Sequence, residues 1–280
     1  GEKLSVDPVY VIQGSVDLGT GNVSHKGAVV ISEDITAGFR IEALGDIEVA
    51  GVVEPSWISA EGNLVVRGGI TGSPENRIEV KGNLSARFIQ DAIIEMQGDI
   101  IVESEIMHST IRTLGKLSIP RGRFVGGSII ARGGIELKEA GGAGATPTLL
   151  AAGEDYLLQQ QLEPRQANLK RFEANLEKMK IAVEPMMSRI KLLNSKQREA
   201  LTALMAKITE IDMEVTTLQQ EIADLENESR EQSVREIHIS GVVYPETTLR
   251  IDGCGFRVLK TTMGPLRAIL VARKIVLEHR

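Results

Sequence analysis

Glu103 and Glu105 stand two residues apart in an alternating stretch, a spacing that would turn both carboxylates to one face of a strand. Held that way they could act as acid and base on a polysaccharide, as pectin-cleaving β-helices require. No basic cluster or calcium-binding pattern accompanies them, so the pair reads as solvated surface. The histidines are His25, His108, His238 and His279, and no two have metal-ligand spacing. His25 falls on an inward slot of a repeat and reads as a core or end-turn residue. His238 alternates outward between Ile237 and Ile239. Cys254, the single cysteine, follows a glycine and reads as a buried, inert thiol. Gly126-Gly127 and Gly141-Gly142-Ala143-Gly144 lack the lysine and the setting of a phosphate-binding loop. These residues predict no catalytic centre, no metal site and no cofactor.

Recognition is the alternative to catalysis. Trp57 sits five residues before a recurrent glycine, where Arg40 and Arg77 also fall, and alternation points all three outward. An exposed tryptophan is a common anchor for a protein partner. Asn194, Ser195 and Lys196, a polar break between two helical segments, complete the candidate partner-binding residues.

The elements that carry these residues follow from a repeat. Glycines recur at Gly27, Gly45, Gly62, Gly82, Gly98, Gly115, Gly133 and Gly153. Apolar residues stand four before them, from Val23, Ile41 and Ile58 to Leu149, and two after, from Val29, Ile47 and Leu64 to Ile135. The alternation is that of short strands with one buried face, and the period is that of a stacked coil. The glycines are expected at corners, where φ > 0 would favour them. Room remains in each period for a third strand, such as Gly51-Val52-Val53. The predicted fold is mainly β: a right-handed parallel β-helix with three-strand rungs. A left-handed helix of hexapeptide type needs an apolar residue strictly every six, which the unequal periods break. A β-sandwich would need hairpin turns.

The pattern stops after Gly153. Leu162, Leu169, Leu176, Val183 and Ile190 begin a heptad series, and Leu201 to Leu225 form a second. Two arms, about 156–193 and 198–233, predict an inserted antiparallel coiled-coil hairpin. Pro164 would open or kink its first helix, and Pro185 would bend it. The Met cluster, Met179, Met186, Met187, Met205 and Met213, reads mostly as hairpin core. The repeat resumes at Ile237-His238-Ile239-Ser240-Gly241-Val242-Val243, which matches the pattern of Ile47-Glu48-Val49-Ala50-Gly51-Val52-Val53 almost position for position. The expected domains are a discontinuous β-helix, 1–153 with 237–280, and an inserted hairpin, 154–236. The tail from Cys254 reads as a last turn or hairpin covering the end of the stack.

Of the 280 residues, 42% are hydrophobic but only 3% aromatic, so the core must be aliphatic and thin. The net charge of −6 offers nothing global to nucleic acid or an anionic membrane. No apolar run is long enough to span a bilayer, and a free thiol suits a reducing compartment. A cytoplasmic protein is expected. Gly1-Glu2-Lys3-Leu4 carries no signal-peptide pattern, and a preceding domain is expected.

Three stretches resemble the flagellar assembly protein A family: Gly14-Ser15-Val16-Asp17 with Thr20-Gly21-Asn22-Val23; Ala43 to Glu54; and Thr146 to Asp155, which leads into the heptads. The likeness spans nearly the whole chain but leaves out the family's usual N-terminal region. Similar β-helices occur in bactofilin filaments and in a cell-division inhibitor. The resemblance implies a non-enzymatic bacterial cytoplasmic scaffold or regulator of flagellar assembly or polar placement. It implies protein partners from flagellar or polar-localisation machinery, or from sugar-phosphotransferase signalling of metabolic state, with recruitment to the cell pole. A homo-oligomer, a bactofilin-like polymer and a carbohydrate-active β-helix are the alternatives.

Overall fold

Alternating aliphatic residues build the core by stacking on their own kind. The computed structural model describes residues 9–190 and 193–279, so Gly1-Glu2-Lys3-Leu4 lies outside the described residues. The chain divides into two compact units, residues 1–156 with 232–280, and residues 157–231. The first is a parallel β-solenoid of about 8 turns.

Three parallel ladders run along it. In the first, Val23 pairs with Ile41, and the column continues through Ile58, Ile78, Ile94, Ile111, Ile129 and Leu150 to Leu249. The second runs from Val29 through Ile47, Leu64, Leu84, Ile100, Leu117 and Ile135 to Ile237. The third passes from Val16 through Ile35, Val53, Ile70, Ile89, Ile106, Phe124 and Ala140 to Val243. The residues of these columns are buried, and Phe124 is the one aromatic side chain among the largest fully buried ones. Turns of similar width need side chains of similar size in each column, which explains the scarcity of aromatics.

Two expectations about the corners are corrected. Gly45, Gly62, Gly82, Gly98, Gly115 and Gly133 do not have positive φ. Each is required because turns meet there. A Cβ on Gly82 would lie 2.6 Å from the Gly62 carbonyl oxygen, and one on Gly98 would lie 2.4 Å from that of Gly82. The backbone bonds directly across this column, with Gly82 N–H donating to the Gly62 carbonyl at 2.9 Å. The phase at Gly153 also slips by one. Ala131 pairs with Ala152, so Glu154, and not Gly153, occupies the corner slot equivalent to Gly133. Leu150 therefore points inward in place of Leu149. Gly153 has φ +77°, unlike the other corner glycines.

A polar ladder runs beside the glycines. The side-chain oxygen of Asp46 accepts from the Asn63 N–H (2.6 Å), Asn63 from Asn83 (2.9 Å), Asn83 from Asp99 (2.8 Å), and Asp99 from Lys116 (2.7 Å). Corner N–H groups that the strands leave unpaired are satisfied in this way. Farther along, the turns are less segmented than three short strands: Ile100–Thr113 and Leu117–Ala131 each continue around the corners as one strand.

The helices interrupt the corner between the strands Thr148–Ala152 and Glu236–Ile239. The latter pairs in parallel with Ile135–Leu137, one turn below. After Leu249 and Ile251 the chain reverses through Asp252 and Gly253, with φ of 52° and 77°. The final turn is wound backwards. Cys254–Arg257, Thr262–Met263 and Leu266–Val271 pair antiparallel with the last strand of each ladder, and Lys274–His279 then pairs antiparallel with Leu266–Val271. Antiparallel pairing satisfies edges that another parallel turn would otherwise take.

α1 spans Tyr156–Ser188, its first residue belonging to the first unit and the rest to the second, and α2 spans Ser195–Glu231 in the second unit. α1 continues through Pro164 and Pro185. Lys180 reaches Asp212 at 3.2 Å and Gln219 reaches Glu173 at 3.1 Å, so positions later in one helix meet earlier ones in the other. Leu162, Leu176 and Val183 of α1, and Leu201 and Val215 of α2, are buried, whereas Met187, Met205 and Met213 of the Met cluster are exposed.

Candidate interaction surface

The outward positions of the first ladder bring Arg40, Trp57 and Arg77 together. Arg40 pairs directly with Trp57, and the pairing of Ile58 with Ile78 sets Arg77 on the next turn of the same column. The Arg40 guanidinium carbon is 5.8 Å from the centre of the Trp57 ring, a cation–π distance. Trp57 is half-buried, and both arginines are exposed. Their neighbours are acidic: Glu42 is 3.5 Å from Arg40, while Glu79 and Glu95 are 3.8 and 3.4 Å from Arg77. The column thus offers a flat strip with an aromatic centre and alternating charge.

Asn194, Ser195 and Lys196 belong to the other unit. Ser195 and Lys196 are not a break but the first turn of α2. Asn194 caps it: its side-chain oxygen accepts from Gln197 N–H at 2.9 Å, and the Gln197 side chain accepts from Asn194 N–H at 3.0 Å. Such a reciprocal box satisfies helix N–H groups that have no carbonyl partner.

Tyr156 closes part of the first ladder's outer face. Its hydroxyl donates to the Met96 carbonyl at 3.2 Å. Burial, aided by the negative charge of Glu95, Asp155 and Glu79, pushes the phenol up to about 12, and Arg112 opposes the shift. Arg112 also pairs with Glu95 at 2.6 Å.

The residues before Tyr156 form a latch missed by sequence reasoning. Both Glu154 carboxylate oxygens accept from Arg250 at 2.7 Å, and the Gly253 N–H approaches the same carboxylate at 3.3 Å. Asp155 accepts from Arg132 at 3.1 Å. Arg235, on the returning segment, lies 3.7 Å from Asp252. The available signal was the charged pair directly after Gly153, at the point where the repeat stops.

The chemistry-bearing candidates are dispersed. A register shift between Ile101 and Glu105 breaks the alternation that Glu103 and Glu105 needed, and Glu105 pairs with Arg123 at 2.8 Å. Cys254 is half-exposed rather than buried, because it opens the reversed turn. The His25 ring lies 5.6 Å from that of Tyr10 at the start of the stack. His238 faces outward and meets Glu236 at 2.9 Å. Arg267 and His238 hold the Glu236 carboxyl below the usual carboxylate range. Among the described residues, no group of three or more His, Cys, Asp or Glu could hold a metal ion. Among the described residues, no helix is long and apolar enough to cross a membrane.

The flagellar assembly protein A β-solenoid domain matches residues 8–275. The chain belongs to the flagellar assembly protein A family. The match covers the repeat on both sides of the helices and extends over this chain's reversed closing turn as far as residue 275. No curated protein and no solved structure matches the chain.

Proposed function

We propose that this chain is a docking scaffold in bacterial flagellar assembly, working by protein binding rather than catalysis. Family membership supports the flagellar setting. The observation that carries the binding role is the strip of Arg40, Trp57 and Arg77: an aromatic ring held by a cation, set on a rigid sheet and flanked by acids. Rigid presentation lowers the entropy lost when a partner binds. The displaced and ion-paired Glu105 favours recognition over polysaccharide cleavage.

The solenoid winds to the right, and α1 and α2 pack as an antiparallel coiled coil through the heptad positions Leu162, Leu176, Leu201 and Val215. The capped start of α2, with Asn194, Ser195 and Lys196, gives the helical unit its own partner contact. The protein acts in the cytoplasm, is recruited to the cell pole, and takes a sugar-phosphotransferase-type partner that reports metabolic state.

Affinity capture from the cytosol of a motile bacterium tests this reading. Wild type should retain flagellar, polar or phosphotransferase components, and Trp57→Ala or paired Arg40→Glu and Arg77→Glu changes should release at least one of them. Capture of no such component, or an identical set with all variants, would reject the proposed role or this surface respectively.

A further inference from the structure

The closing strand Lys274–His279 pairs with Leu266–Val271 along one edge. Among the described residues, no backbone hydrogen bond reaches its other edge. This edge is six residues long and contains neither proline nor a bulge to block further pairing, and its charged residues, Lys274 and Glu278, are of opposite sign. Ile275 and Leu277 pack against the solenoid core, while Lys274, Val276 and Glu278 face outward. Val276 is 41% exposed, and Val271 at the preceding hairpin is 50% exposed.

The order of these residues selects the partner. Turned antiparallel about Val276, the strand is its own complement. Lys274 then lies opposite Glu278 of a second copy, Ile275 opposite Leu277, and Val276 opposite Val276. Two charge pairs and three apolar pairs form at once, and each is a favourable cross-strand combination. A shift by one residue sets Ile275 against Glu278 and loses them. Another protein's strand would need this pattern by coincidence, whereas a second copy carries it by identity.

We propose that two copies of this chain associate through Lys274–His279, forming a twofold dimer in which the closing sheets become continuous. The contact is isologous, so it closes at two and does not propagate into a filament. This inference is independent of the docking role of Trp57.

Sedimentation equilibrium of the whole chain tests it. Wild type should show twice the chain mass. Lys274→Glu alone brings like charges together at both ends of the junction and should weaken association about tenfold or more, as should Glu278→Lys, which also removes the 3.8 Å contact of Glu278 with Arg267 of its own chain. The double change, Lys274→Glu with Glu278→Lys, should restore it, which separates a lost contact from a lost fold. In a Cys254→Ser background, Val276→Cys should form a disulfide between copies under mild oxidation, since the twofold brings that position against itself. A single-copy mass for wild type at every soluble concentration would overturn the proposal and leave the edge to another protein's strand. A dimer indifferent to both single charge reversals would overturn it equally.

Discussion

Glu154 and Arg250 are 96 residues apart in sequence, yet the carboxylate of one and the guanidinium of the other meet through two hydrogen bonds of 2.7 Å. The pair closes the corner from which the helices depart. Glu154 occupies the slot that glycine fills in earlier turns, and its carboxylate replaces part of the direct backbone contact by receiving the Gly253 N–H. Glu154→Gln keeps the size but removes the charge, and should lower solenoid stability by about 1–3 kcal/mol. Denaturant unfolding of Glu154→Gln, Arg250→Met and the double variant measures the coupling. Additive single effects would show that the two residues act separately.

The corner glycines should be intolerant for a reason unrelated to backbone flexibility. In Gly98→Ala the new methyl would lie 2.4 Å from a backbone oxygen that no side-chain rotation can move. A loss of about 1–3 kcal/mol is expected from overpacking. Gly255 has no heavy atom within 4 Å of its virtual Cβ, so Gly255→Ala should leave the melting temperature nearly unchanged. Thermal melts of the two variants check the contrast.

The polar ladder beside those glycines makes a separate prediction. Asn83→Ala deprives the Asp99 N–H of its 2.8 Å acceptor and should cost about 1 kcal/mol. Asn83→Asp retains the acceptor and should cost less, since Asp46 and Asp99 already perform the same task in this column. Hydrogen exchange at the Asp99 amide should accelerate in the alanine variant alone.

The periodic part of the fold was legible because its signal is repeated in every turn. Ile41, Ile58 and Ile78 announce the first column, and Ile47, Leu64 and Leu84 the second. Counting glycines fails at Gly153, where the turn is present but its phase slips by one residue. The cause of glycine's presence was also misread, because a clash between turns and a need for positive φ leave the same residue in the sequence. The latch was invisible for a different reason: Glu154 and Arg250 follow no period, and their meeting depends on how the chain re-enters the stack. For the interaction strip, the column of Arg40, Trp57 and Arg77 came from phase alone, but the stacking of Arg40 on the indole did not.

Alkaline pH should act through Tyr156. Its phenol titrates near 10.0 in the unfolded chain and near 12 in the fold, because burial and nearby carboxylates disfavour the phenolate. The folded state therefore holds this proton more tightly. The associated stability is fully present below pH 10 and is lost as pH rises from about 10 towards 12. Tyr156→Phe removes the titrating group and the bond to Met96. It should be less stable than wild type at neutral pH, and the difference should shrink across that alkaline window. Parallel denaturation curves at several pH values would show a constant difference if Tyr156 were solvated.

A coil of identical sense can gain or lose a complete lap wherever its columns remain in phase. The backward lap beginning at Asp252 has no such freedom, because its strands recognise only partners running the opposite way. Duplication or deletion of laps is therefore structurally permissible ahead of the helices, while the segment beyond Glu236 must be inherited whole. Relatives of different length should differ in the number of forward laps and share the same terminal piece.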